Sequence, residues 1–284
     1  MILHFDGDIL VYRAGFAAEK MWYTVTPKLG GEGLRFQYKK DVDNWLEANG
    51  LAAMDVVIDA EREAEDVGNA LYNVKSIISK VVDDLEMGDD DSTVVYLSGP
   101  TNFRDGVATI KKYKGNRDDL HKPVHAPAIK EFIDSRYNTV WSEDEEADDV
   151  IGYSHYECYL EDPYSSIICS LDKDLDMIPG LHYNFVREEA YFVNEDAALQ
   201  CFYKQLLMGD PTDNIPGCPS IGPKKAEAAL AECADEDAMY AAARALYVQG
   251  YGEDMADAAL LENARLLWIR RKPGEWWNPP TEKE

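Results

Sequence analysis

Four short acidic groups carry residue types that can do chemistry: Asp6 in FDGD, Glu146, Asp148 and Asp149 in EEADD, Asp172 and Asp174 in SLDKD, and Asp210 and Asp213 in GDPTD. Carboxylates gathered at low dielectric repel one another unless a cation neutralises them. Hard oxygen donors without His or Cys suit magnesium or manganese better than zinc. A pair of such ions about 4 Å apart generates hydroxide and stabilises a leaving oxygen in phosphodiester cleavage. With 54 acidic residues in the chain, any single Asp is ordinarily a solvated surface group. EDEEADD alone reads as a charged helix N-terminus, and Asp-x-Asp alone is weak. The weight lies in the conjunction of acids that follow strand-like runs, in order, with a Pro/Gly/Ile-rich stretch that ends in two lysines.

The elements that must position these acids are legible as apolar runs and periodicities. MILHF reads as a buried strand stopped by an acidic turn, and STVVYLSGP (92–100), NTVWS (138–142) and SSIICSLDKD (165–174) as further strands, with HYNFV (182–186) as a fifth. WYTVT and LRFQY flank PKLGGEG as a hairpin. Helical periodicity runs from Ala64 to Leu85, and the acids of EDEEADD open a second helix where they suit its dipole. Alternating strands and helices predict an α/β fold, a mostly parallel central sheet flanked by helices, with its functional crevice beyond the carboxyl ends of the strands. From about Leu199 the chain turns Ala-rich and helical. The expected organisation is a core over 1–198, including an arch-like segment at 104–140, and a helical region over 199–284 with a hairpin at 206–230 and a tail whose Trp276 and Trp277 dock on the body.

EADDVIG, SLDKDL and GDPTDNIPGCPSIGPKKA together resemble the motif series of the flap endonuclease and 5′-nuclease superfamily, and KKYKGNR resembles its arch-base motif. The resemblance runs from Asp6 to about Leu230 and is greatest to bacteriophage 5′→3′ exonucleases. It implies a PIN-like nuclease core, metal-binding roles for Asp6, Glu146, Asp148, Asp149, Asp172, Asp174, Asp210 and Asp213, and catalytic roles for Lys114, Asp6, Asp149 and Asp172. Two Mg2+ ions are the implied cofactors, with Mn2+ able to substitute. The sequence departs from the pattern where LSGPTNFR places Gly99 near the position of a further Asp; Asp8 is the nearest substitute, with a surface or capping role as the alternative.

Gly217 and Gly222 permit a tight turn and close approach of backbone N–H groups to a phosphate, the following helix adds positive potential at its N-terminus, and Lys224 and Lys225 add charge-assisted contacts. The string resembles a helix–hairpin–helix variant that grips a duplex backbone, with K+ as a further expected ion. From Arg104 to Lys130 seven basic residues face three Asp, a locally basic segment inside a chain of net charge −26. Within it Tyr113 is expected to stack on a terminal base, Lys114 and Arg117 to hold the scissile phosphate, and Arg104 to contact the backbone.

The global charge argues against nonspecific nucleic-acid or anionic-membrane binding, so DNA contacts must sit in small basic patches. No run approaches the roughly 20 apolar residues of a membrane span, and MILHFDGDIL lacks the pattern of a signal peptide. Five widely spaced cysteines suit reduced thiols in a cytoplasm, that of the host cell if the chain is phage-encoded, and the five histidines show no ligand spacing. These observations lead to a divalent-metal-dependent 5′→3′ exonuclease on double-stranded DNA, with flap cleavage and removal of RNA primers as related activities. Its substrates would carry 5′ ends, nicks or flaps, RNA–DNA hybrids included. The rivals are a duplex-binding protein without catalysis, motivated by Gly99, and a PIN-type RNase, which has no reason for the hairpin.

Overall fold

A computed structural model describes residues 1–117 and 121–280 of the chain. The arch-like segment expected at 104–140 therefore lies partly outside the described residues. β1 (Ile2–Asp6) runs straight into α1 (Gly7–Ala17), so the expected acidic turn is the start of a helix. β2 (Glu19–Pro27), β3 (Leu34–Phe36), α2 (Lys39–Ala48) and β4 (Val56–Ala64) follow, then α3 (Val67–Asp84) and β5 (Ser92–Leu97). The short α4 (Arg104–Val107), α5 (Ala126–Arg136), β6 (Asn138–Trp141), α6 (Ala147–Glu161) and β7 (Ser166–Cys169) come next. The remainder is β8 (Gly180–Asn184), β9 (Glu189–Val193), α7 (Glu195–Met208), α8 (Pro223–Leu230), α9 (Glu236–Tyr251) and α10 (Glu253–Leu267).

The chain forms two compact units. The first takes Met1–Ile9, Lys80–His121 and the chain from Ile133 onward, and holds a six-stranded sheet of order β6-β5-β1-β7-β8-β9. All neighbours are parallel except β8 and β9, so the sheet is mixed and mostly parallel, as the alternation of elements predicted. β1 and β7 are short apolar runs because both faces are covered. The strand order reverses at β1, which lies between β5 and β7, and this reversal opens the crevice that a doubly wound sheet offers at its carboxyl edge.

In the same unit α7 to α10 build a second core around Phe202, Tyr203, Leu206, Leu207 and Tyr247. Asn194 and Asp235 start α7 and α9 by accepting from the N–H groups of Ala197 and Ala238. The helical region expected from Leu199 thus starts at Glu195, and it shares a compact unit with the sheet instead of standing apart at 198/199. Trp277 is buried in this core, and the half-exposed Trp276 lies edge-on to Phe103 at 5.1 Å.

The second unit, Leu10–Ser79 with Lys122–Phe132, holds the antiparallel sheet β3-β2-β4, with α2 supplying Val42 and Leu46 to a small core with Val25 and Val56. The hairpin of β2 and β3 was expected. β4 was not, because VVIDAEREA exposes eight of its nine residues and has no buried alternation to read. Ala64 ends that strand instead of opening α3. No helix among the described residues is long and apolar enough to cross a membrane, and all five cysteines are free thiols.

Candidate metal centre and nucleic-acid interface

β1 delivers Asp6 to the carboxyl edge of the sheet, where it is 2% exposed. One carboxylate oxygen accepts from Ile9 N–H at 3.0 Å in the first turn of α1, and the other from Ser170 Oγ at 2.8 Å just after β7. Burial, with Asp8 and Asp172 adding repulsion, raises its pKa to about 7 against those two stabilising bonds. Ser170 Oγ also accepts from Asp172 N–H at 2.9 Å, so one serine ties the acid of β1 to the loop after β7. Asp172 in turn accepts from Asp174 N–H at 2.9 Å. Asp174 is held by Gln205 Nε2 at 2.9 Å and is raised to about 7 by burial and by Asp172 and Asp210.

The N-terminus of α6 supplies the third face. Burial, with Asp6, Asp172 and Glu146, pushes Asp148 well above the carboxylate range, and Lys114 pulls it back. Glu146 forms an ion pair with Lys114 Nζ and accepts from Tyr113 Oη at 3.0 Å. The turn after α7 supplies the fourth face. Asp210 and Ile215 exchange backbone bonds of 2.9 and 2.8 Å, and Asp213 between them is raised by burial despite Lys114 and Arg117. Asp6, Asp148, Asp172, Asp174, Asp210 and Asp213, with Glu146, thus share one negative field from four separate stretches of chain, answered by Lys114 and Arg117.

The hard oxygens of Asp6, Asp148, Asp174 and Asp213, whose ionisation is suppressed first by burial and then by neighbouring acids, fit a divalent cation in donor chemistry. The set is not drawn tight: among the described residues no three His, Cys, Asp or Glu side chains form a ready-made metal-binding group. Gly99 shows why no acid stands at the end of β5. A Cβ there would sit 2.3 Å from the Ser142 carbonyl oxygen, and its N–H is bonded to Ser142 Oγ at 3.0 Å. Asp8 lies beside this gap, accepting from Ser98 N–H at 3.1 Å and repelling Asp6.

Four expected roles do not survive the geometry. Asp149, expected as a catalytic metal ligand, is fully buried and ion-paired with Arg104; it also accepts from Arg270 N–H at 3.2 Å. A helix turns about 100° per residue, so neighbours in EADD face different surroundings. Arg104, expected on DNA, is 2% exposed as that partner. Tyr113, expected to stack on a base, is buried, its hydroxyl donating toward Glu146 and Asp213 at 3.0 and 2.9 Å. Gly217, expected to offer its N–H to phosphate, is buried against Gly209, with its N–H bonded to Asn263 and its carbonyl to Tyr251. Its φ of 62° makes glycine necessary for the turn itself.

Of the remaining expected contacts Gly222, Lys224 and Lys225 are exposed, and Lys114 and Arg117 are half-buried. Gly222 is the exposed N-cap of α8, and a Cβ there would meet open space. Lys224 and Lys225 follow in the first turn, and Lys225 folds back to the Ser220 carbonyl at 3.0 Å. Lys114 adopts φ 51°, and its N–H bonds the Asp213 carbonyl at 2.9 Å. Asn214 Nδ2 donates to the Lys112 carbonyl and Asn116 Nδ2 to the Pro211 carbonyl, at 2.8 and 2.7 Å. KKYKGNR and GDPTDN are therefore one body, which sequence separation conceals. Ser170 and Gln205 were also missed; the signal for Ser170 is its place two residues before Asp172, where a hydroxyl reaches the turn amide.

No family model matches the chain. It is 31% identical over 177 residues to DNA polymerase I of Bacillus subtilis (strain 168), covering 56% of this chain and 19% of that one. It is 29% identical over 175 residues to a 5′-3′ exonuclease of Buchnera aphidicola subsp. Schizaphis graminum, covering 57% of this chain and 54% of the relative. The matches thus span about half or less of those relatives. In fold the chain is similar to the T5 D15 protein co-crystallised with metal ions, with a TM-score of 0.58 at 16% identity over 94% of this chain and 88% of that one. A T5 D15 flap endonuclease complex with DNA and metal ions gives a TM-score of 0.56 at 15% identity, over the same shares of the two chains. The resemblance to the flap endonuclease and 5′-nuclease superfamily is one of both sequence and fold.

Proposed function

We propose that the chain is a divalent-metal-dependent 5′→3′ exonuclease acting on double-stranded DNA at 5′ ends, nicks or flaps. The observation that carries this reading is the single negative field made by Asp6, Asp148, Asp172, Asp174, Asp210 and Asp213 beside Lys114. Asp6, Glu146, Asp148, Asp172, Asp174, Asp210 and Asp213 would hold the ions, Mg2+ by preference and Mn2+ in its place, with Asp8 as the acid nearest the gap at Gly99. Bound there, divalent cations supply neutralising charge and acidify water. Lys114 lies at the rim of the field, with its pKa raised by Glu146 and Asp213 against desolvation, and so carries its charge to the scissile phosphate. Attack by water forms a new P–O bond as the bond to the 3′ oxygen breaks, leaving a 5′-phosphate and a 3′-hydroxyl.

Gly222, Lys224, Lys225 and the N-terminus of α8 offer exposed donors to a duplex backbone, and K+ at this turn belongs to the same reading. Arg117 joins them only by leaving Asp213, to which it is ion-paired. The names of the relatives support a nuclease, and the T5 D15 complex with DNA and metal ions supports the choice of substrate and cofactor. The test is digestion of duplexes labelled at the 5′ or the 3′ end, with Mg2+ or with chelator. Early release of the 5′ label, in Mg2+ alone, is the expected result. Release of the 3′ label first overturns the polarity, and duplex binding without cleavage makes the chain a binding protein.

A further inference from the structure

Asp149 and Arg104 lie behind the acidic field and satisfy one another almost completely. Arg104 meets both oxygens of Asp149, with NH2 to Oδ1 at 2.9 Å and NH1 to Oδ2. Its Nε donates to the Leu266 carbonyl at 2.8 Å, and NH2 also donates to the Trp268 carbonyl at 2.9 Å. Asp149 accepts in addition from Arg270 N–H, and from Glu146 N–H at 3.2 Å. The latter bond fixes the backbone of Glu146 at the start of α6. Around this pair Arg270 bonds Glu145 at 2.7 Å and stacks over Phe103 at 3.8 Å.

Three stretches distant in sequence, 103–104, 145–149 and 266–270, thus meet in one buried network. Arg104 NH1 also lies 4.0 Å from Glu146 Oε2, so the network reaches the rim of the field. Burying an ion pair is a poor way to gain stability, since an apolar pair of similar volume does as well or better. What a bidentate pair adds is direction, and outer-shell partners orient the acids that bind metal.

Resting on the metal-dependent reading above, we propose that Arg104 and Asp149 are positioning residues. They aim Glu146 and Asp148 at a divalent cation, with the segment Leu266–Arg270 as their anchor, and Asp149 is not itself a ligand.

The test compares the full chain with Asp149→Asn and with the double variant Arg104→Met/Asp149→Leu, which leaves no unpaired buried charge. Mn2+ uptake is read by isothermal titration calorimetry as stoichiometry and affinity, beside the thermal midpoint and the Mn2+ concentration for half-maximal cleavage. Asp149→Asn is expected to keep the stoichiometry and lose about 10-fold in affinity, with half-maximal cleavage shifting by the same factor. The double variant is expected to recover the thermal midpoint and not the affinity. Unchanged affinity in Asp149→Asn overturns the proposal. So does a lost equivalent of Mn2+, which would make Asp149 a ligand, and so does recovered affinity in the double variant, which would make the pair packing alone. A parent chain that takes up no Mn2+ overturns the metal reading and this proposal with it; normal uptake by the parent with an unmoved Asp149→Asn overturns the proposal alone.

Discussion

Asp148 and Asp149 are adjacent on α6 and belong to opposite regions of the molecule. Asp148 faces the acidic field, where burial first and three other carboxylates after it push its pKa up and one lysine answers them. Asp149 faces the buried network, where Arg104 and two backbone N–H groups complete it. One region leaves charge unmet and the other meets it fully. Unmet charge destabilises a fold and persists where a ligand supplies what is missing, whereas met charge holds elements in place.

This contrast sets the largest expected effects. Asp148→Ala and Asp172→Ala should each abolish cleavage in Mg2+ while leaving duplex affinity, measured with chelator present, near that of the parent. Without metal both variants should melt at or above the parent temperature, because each takes one acid out of a crowded set that burial and mutual repulsion disfavour. Asp149→Ala should do the reverse to stability and cost about 3–5 kcal/mol by stranding Arg104. Thermal melts of the three variants in chelator check this, and equal melting losses at Asp148 and Asp149 would erase the distinction between the two regions.

Lys114 stands at the border of the field, paired with Glu146 and open to solvent on one side. Lys114→Ala should lower the rate of the chemical step by about 10²-fold with little change in duplex affinity. Single-turnover cleavage set against equilibrium binding separates the two. A variant that loses affinity and keeps its rate would move Lys114 from the reacting phosphate to the duplex grip.

The fold was legible because buried strands announce themselves as apolar runs, and SIIC and ILHF did so. The acids were legible because they follow those runs in order. Facing direction was not legible: nothing in EADD distinguishes Asp148 from Asp149 until Arg104 and the Arg270 backbone arrive from 45 and 121 positions away. Tyr113 and Gly217 misled for the same reason, since the residues that enclose them lie in distant segments. β4 was hidden for the opposite reason, because an exposed charged strand carries no hydrophobic signal at all.

A smaller effect concerns the exposed cations of α8. Lys224→Ala with Lys225→Ala should weaken duplex binding and reduce the slope of log affinity against log salt by about 2, one for each phosphate contact. Because Lys225 bonds the Ser220 carbonyl, its share should be the lesser when the two are changed singly. Binding titrations across a salt series check both statements. An unchanged slope would remove α8 from the interface and leave the acidic field without its proposed grip.

The smallest effect tests the contrast between met and unmet groups far from either region. His155 is buried, its ring 5.7 Å from that of His4 and 6.1 Å from that of His182. Burial, with His4 and His182 adding repulsion, lowers its pKa to about 3. Nδ1 is shared with Ser166 Oγ at 2.8 Å, and Nε2 has no hydrogen-bond partner among the described residues. The unfolded chain therefore takes up a proton at this residue near the ordinary histidine pKa of about 6.5, while the folded chain refuses it until far lower pH. Stability must fall as pH drops below that value, by at most about 1.4 kcal/mol per pH unit for this residue. His155→Asn should lower stability at pH 8 and show a shallower decline between pH 6.5 and 4 than the parent. Urea unfolding in chelator across that range measures both slopes, and parallel curves would mean that His155 is already protonated in the fold.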